Sequence, residues 1–149
     1  MSALDEDHQA VAAVVGDYHR GWLENDAERL KSLWKEDAGD LRYVALEIAE
    51  PLRDLNTIKR YYDRAQAECN PPNMTIGGLF TEIVGDVAIT FFDFHYEFSF
   101  RVQPPVPGIR ANEHISADGR VTMALRRTDS GWKLMHYHES RRGPRLDPP

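Results

Sequence analysis

From Val11 the apolar positions Val11, Val14, Val15, Tyr18 and Trp22 recur at intervals of three and four, the stripe of an amphipathic helix that ends near Glu24 and Asn25. Asp26 is placed to cap a second, shorter helix with Leu30, Leu33 and Trp34 on its buried side, before Asp37-Ala-Gly-Asp40 breaks it. The two helices form a hairpin. Leu41-Arg-Tyr-Val-Ala-Leu46 then alternates as a strand does, and Glu47-Ile-Ala-Glu-Pro51 reads as a turn or a short second strand. Asp54 or Asn56 can cap a third helix, whose stripe of Ile58, Tyr62, Ala65 and Cys69 is stopped by Asn70-Pro71-Pro72.

After residue 72 the period changes from 3.6 to 2, which predicts strands near residues 73–84, 86–102, 114–127 and 131–140. Gly85-Asp86 and Asp129-Ser130-Gly131 are hairpin turns by composition, so neighbouring strands are expected to pair antiparallel. The strand after Asp86 begins apolar on both faces and is therefore central. Gln103-Pro-Pro-Val-Pro-Gly108 is a loop that overhangs one end of the sheet. Helices followed by an antiparallel sheet define an α+β architecture in which the helices cover one sheet face.

At 149 residues the chain has the size of one domain, taken as residues 1–140 with a mobile tail at 141–149 that has little to bury. Lysine and arginine number 18 against 24 aspartates and glutamates, an acidic balance that argues against nucleic acid as a partner. The single cysteine, Cys69, excludes an intrachain disulfide and a multi-cysteine zinc site, and fits a reducing cytoplasm. No apolar run approaches the roughly 18 residues of a membrane span. The chain opens with Asp5, Glu6 and Asp7 instead of a basic and apolar leader, so a soluble, unprocessed protein is expected.

The closing strand carries the first candidate chemistry. Strict alternation puts Trp132, Leu134, His136, His138 and Ser140 on one face, with two imidazoles beside an indole. Because histidine titrates near neutrality, such a pair is either a proton-handling device or a packing choice. A one-residue bulge would instead turn Tyr137 and Glu139 inward.

Asp93, His95 and Glu97 form a second ladder. Side chains on one strand face diverge, which disfavours a shared metal ion. A carboxylate beside an imidazole does suit a general base, whose tautomer and basicity it fixes. The alternative is a face of cross-strand ion pairs. Glu47 follows the first strand, where a carboxylate among apolar walls can serve as acid or base, or simply lie solvated in a turn. Tyr18 and Trp22 lie one turn apart, Tyr61 and Tyr62 share the third helix, and Tyr43 sits on the first strand. If these aromatic side chains are not all core, they line a cavity suited to a flat, partly polar ring compound. Arg120 follows turn-prone Asp118-Gly119, where it is either exposed or a ligand contact.

The order of elements, Gly119-Arg-Val-Thr122 leading to Leu125-Arg-Arg127, and the ending Trp132-Lys-Leu-Met-His-Tyr-His-Glu-Ser140 resemble the SnoaL-like branch of the nuclear transport factor 2-like superfamily. The closing strand is also similar to that of the association domain of calcium/calmodulin-dependent protein kinase. The resemblance implies a cone-shaped half-barrel, a strongly bent sheet around the long helix with a pocket at its wide end. It further implies homodimers through the outer sheet face. The activities it implies are isomerisation, ring closure or its reverse, and loss of water, all resting on proton transfer. The kinase domain's acid-binding arginines correspond to Thr122 and Glu139, so the same acidic ligand is disfavoured.

Neither a glycine-rich phosphate loop nor a nucleophile elbow is present, which leaves nicotinamide, flavin and nucleotide cofactors unsupported. Two readings remain. In the first, a cofactor-independent and metal-free enzyme uses His95, His138, Asp93 and Glu47 for acid-base chemistry on a hydrophobic cyclic or aromatic small molecule. Tyr18, Trp22, Tyr43, Tyr62, Arg120, His136 and Tyr137 then hold that substrate. In the second, the chain is a non-catalytic ligand-binding or oligomerisation module. Neither reading involves a membrane.

Overall fold

The computed structural model describes residues 1–36 and 39–142. Ser2 begins the first helix through a reciprocal cap, its side chain accepting from the Asp5 N–H while the Asp5 carboxylate accepts from the Ser2 N–H. Helix α1 spans Ala3–Leu23, starting earlier than its apolar stripe because the first turns are polar and exposed. Asn25, with φ of +51°, takes the left-handed turn into α2 (Ala27–Ser32), and the Asp26 carboxylate accepts from the Arg29 N–H. The two helices pack closely: a Cβ at Gly21 would sit 2.8 Å from the Leu30 side chain. Helix α3 spans Leu55–Glu68 and is capped by Asp54, which accepts from the N–H and the hydroxyl of Thr57.

The strands are β1 (Arg42–Val44), β2 (Asn73–Val84), β3 (Val87–Phe98), β4 (Ile115–Thr128) and β5 (Gly131–Arg141). They form one open sheet in the order β1-β5-β4-β3-β2, antiparallel except for the β1–β5 pair. Strand β3 is internal, as its two apolar faces require. Its Ala88, Thr90, Phe92 and Phe94 are buried beneath the helices, against Val11, Val15, Tyr18, Met123 and Leu125. This is the cone-shaped α+β half-barrel, with helices on the concave side of a mixed sheet. Residues 47–51 form a turn rather than a strand, and Leu52 bridges back to Tyr43. Trp34 leaves the helix it was expected to finish and bridges Leu134 instead, its indole N–H donating to the Tyr62 hydroxyl at 2.9 Å. Strand β5 runs to Arg141, and the rest of the expected tail beyond Arg142 lies outside the described residues, as do Asp37 and Ala38 of the helix breaker.

Two bulges reshape the sheet. In β2 the pairing jumps between Gly77 and Phe80, and Gly78 accommodates the bend at a φ of +64°. In β5, Ala124 pairs with His136 while the next residue, Leu125, pairs with Leu134, which leaves Met135 as the extra residue. The second bulge overturns the expected alternation. Trp132 and Leu134 face the core, yet the next inward residues are Tyr137 and Glu139, while His136 and His138 turn to the outer face.

Candidate functional site

The inward half of β5 builds a buried cluster of phenols around one carboxylate. Tyr18, Tyr43, Tyr62 and Tyr137 are each only 1% exposed. Parallel pairing sets Tyr43 beside Tyr137, and their rings stack with centroids 4.7 Å apart and planes at 9°. Tyr18, carried in by α1, donates its O–H to the Tyr137 oxygen at 2.5 Å. Tyr137 in turn donates to Glu139 Oε1 at 2.5 Å, two residues along the same strand face. The other carboxylate oxygen accepts from the Leu46 N–H at 3.0 Å, because the parallel pairing of β1 with β5 carries the chain on beside Glu139. At the edge of the cluster the Tyr61 hydroxyl donates to the Glu47 carboxylate.

Burial sets the electrostatics. It pushes the half-buried Glu139 carboxyl up to about 7, assisted by the negative charge of Glu47 and opposed by the hydrogen bonds from Tyr137 and Leu46. The same burial, followed by the charge of Glu139, holds the Tyr137 hydroxyl well above the usual phenol range. Tyr18 and Tyr96 are raised by those two causes in the same order. The phenols therefore stay protonated and act as donors, while Glu139 alternates between acid and base near neutrality.

Of the residues singled out from sequence, Tyr18, Trp22, Tyr43, Tyr62, Tyr137 and Glu47 come together here. Trp22 sets its ring edge-on to both Tyr18 and Tyr62, with its buried N–H unaccepted. Asp93, His95, Arg120, His136 and His138 do not join them, because strand alternation and the Met135 bulge put all five on the outer sheet face. There His95 Nδ1 lies 2.8 Å from Asp118, and Asp93 accepts from Arg142 at 3.0 Å. Arg120 donates to the Arg141 carbonyl, and the rings of His136 and His138 are 6.3 Å apart. Burial, then His138 and Arg42, lowers the His136 imidazole. The carboxylate that faces the interior, Glu139, is paired with a tyrosine and not with a histidine.

Glu139 was expected inward only if a bulge shifted the strand, and no chemical role was given to it; the Met135 bulge meets that condition. Tyr96 was also passed over; it stacks on Phe94 along β3 and feels both Glu139 and Glu47, with Arg141 nearby. Glu47, Glu139, Tyr61, Tyr96 and Trp22 are the cluster members that keep some solvent exposure. Two surface clefts lie elsewhere. One of about 490 Å³ is lined by the loop from Gln103 to Arg110, and one of about 320 Å³ lies beside Glu97 and His114. Among the described residues, no group of three or more His, Cys, Asp and Glu side chains is arranged to hold a metal ion, and no helix is long and apolar enough to cross a membrane.

A helix-lined, open mixed sheet of this order is the architecture of the nuclear transport factor 2-like proteins. Within that superfamily the chain belongs to the SnoaL-like domain family, whose model matches residues 11–142. No curated protein matches the chain. Among solved structures, a proposed dehydratase of the NTF2-like family from Streptomyces avermitilis is similar over 94% of this chain and 99% of its own, with a TM-score of 0.78 and 22% identity. A proposed aromatic ring hydroxylase from Novosphingobium aromaticivorans gives 0.77 at 17% identity, covering 93% of this chain and 91% of its own. A proposed calcium/calmodulin-dependent protein kinase II association domain from Xanthomonas campestris gives 0.67 at 14% identity, covering 89% and 85%.

Proposed function

We propose that this chain is a cofactor-independent enzyme of isomerase, cyclase or lyase type, in which Glu139 moves a proton on a hydrophobic cyclic or aromatic small molecule. One observation carries the reading: a half-buried carboxylate, held by a tyrosine and a backbone N–H, is poised near neutrality. Glu139 takes a proton from carbon next to a carbonyl or hydroxyl and returns it at a second position, or to a leaving hydroxyl. Tyr96, whose hydroxyl makes no hydrogen bond to another described residue, is the candidate donor to the oxyanion that develops. Two carboxylates at one site repel anions, so the substrate is uncharged where it meets them. A cytoplasmic setting accords with the lone Cys69.

The test is turnover of a panel of enones, aromatic diols and lactones by wild type, Glu139→Gln and Tyr96→Phe. Glu139→Gln is expected to lose about a hundredfold or more in rate, the contribution of a positioned general base. Full activity in that variant would sink the assignment.

A separate observation favours self-association, with or without catalysis. Phe80, Val84, Ile89 and Phe91 are 59%, 70%, 48% and 36% exposed and lie side by side on the outer face of β2 and β3. A contiguous apolar patch on a sheet face is the mark of an interface. We assign it to a second copy of this chain, because on the outer face acidic Glu82 of β2, opposite Ile89, and basic Arg126 of β4, opposite Val87, flank β3 on its two sides. A two-fold axis along the strands sets each side against its opposite.

A further inference from the structure

Building on the reading of Glu139 as the base, we propose that Tyr18 is a positioning residue that locks a one-way hydrogen-bond chain onto Glu139 through Tyr137 and so sets the carboxylate's basicity. The direction follows from counting protons. An ionised carboxylate only accepts, and Tyr137 has a single O–H. With that proton committed to Glu139 at 2.5 Å, the Tyr137 oxygen must accept at its other side, where the Tyr18 oxygen lies 2.5 Å away. Tyr18 therefore donates to Tyr137.

The blind end of the chain closes it. Tyr18 is fully enclosed, and its neighbour one turn along α1, Trp22, carries a buried indole N–H that is a donor only and has no acceptor. The indole cannot take a proton from Tyr18, so the chain does not run backwards or drain inward. It is a clamp rather than a wire, and a proton taken by Glu139 leaves only on the side where Glu139 meets solvent. Other titratable groups around Glu139 are Glu47 in the turn after β1, Tyr61 and Tyr62 on α3, and Tyr96 on β3 with Arg141 nearby. The phenols stay protonated, and Glu47 is the acidic group whose charge acts on Glu139. A donor feeding Tyr137 strengthens the bond that Tyr137 makes, by roughly 10–30% in condensed phases.

The experiment is a carbon-13 NMR titration of the Glu139 carboxyl in the full chain, assigned by its loss in Glu139→Gln. Removing the Tyr137 hydroxyl (Tyr137→Phe) is expected to raise the midpoint by about one pH unit or more, as loss of a charge-assisted bond requires. Tyr18→Phe is expected to raise it by on the order of 0.3 unit, the cooperative share of that bond. The double variant should match Tyr137→Phe alone, because Tyr18 acts only through Tyr137. An unmoved midpoint in Tyr18→Phe, or a double variant that exceeds Tyr137→Phe, overturns the proposal. A second measurement needs no variant: both hydroxyl protons should resonate far downfield in the wild-type protein, and their absence there also overturns it. No substrate enters either measurement, so the clamp can fail while Glu139→Gln still loses turnover, or hold while turnover survives.

Discussion

Replacing Glu139 by glutamine is expected to stabilise the protein, and only above a defined pH. Between an ordinary carboxyl value of 4.5 and the folded value of about 7, the folded chain keeps a proton that the unfolded chain has released. Stability therefore falls as pH rises through that window, and the full penalty stands above it. At roughly 1.4 kcal/mol per pH unit, the interval amounts to at most about 3 kcal/mol. Glutamine abolishes the penalty while still offering an oxygen to Tyr137 or to the Leu46 N–H. The charge-assisted part of those bonds is already contained in the folded value of about 7, so it is not subtracted again. A gain of at most about 3 kcal/mol is therefore expected at pH 8. Urea unfolding of both proteins at intervals from pH 4.5 to 9 measures it. The two stabilities should converge near pH 4.5, separate through neutrality and run parallel above pH 8. A gap independent of pH, or a variant less stable than wild type at pH 8, would refute the placement of a strained carboxylate at this position. A stabilised protein without turnover is the expected combination where an active site is kept at the expense of the fold.

Three further outcomes are expected. Gly119→Ala puts a Cβ 2.5 Å from both the Phe94 ring and the Ser140 carbonyl, two groups that cannot easily yield, so chemical denaturation should register a loss of about 1–3 kcal/mol. His138→Ala removes an exposed side chain from the outer face and should leave turnover unchanged; a large drop in rate would return the histidine pair to the catalytic machinery. Ile89→Asp sets a charge in the exposed apolar patch and should convert a dimer to monomers in light scattering, with rates unaffected at the interior site.

Much of the architecture was legible because it is written in local chemistry. Asp26 and Asp54 cap helices as their positions indicate, and the change of period after Pro72 marks the start of the four long strands. Asp93, His95 and Glu97 do share one face, and its being the outer one depends on where the helices pack. The site itself was partly legible: Tyr18, Trp22, Tyr43, Tyr62, Tyr137 and Glu47 converge, since aromatic side chains at helical and strand spacing seek the same interior. Glu139 was not placed among them because a bulge is a property of two strands. Trp132 and Leu134 fix the inward face of the first half of β5, but the skipped residue is specified by the pairing of Ala124 and Leu125 on β4. Helix α1 began earlier than its apolar stripe for a similar reason, its first turns being held by the Ser2–Asp5 cap and not by burial.

Met135 also bears on how this chain should be aligned with its relatives. Two sequences that differ by one residue in this strand can match perfectly at the tryptophan and yet present opposite side chains to the interior beyond it. A residue-by-residue alignment drawn without the extra position would set imidazoles against carboxylates, and would transfer the chemistry of one sheet face to the other.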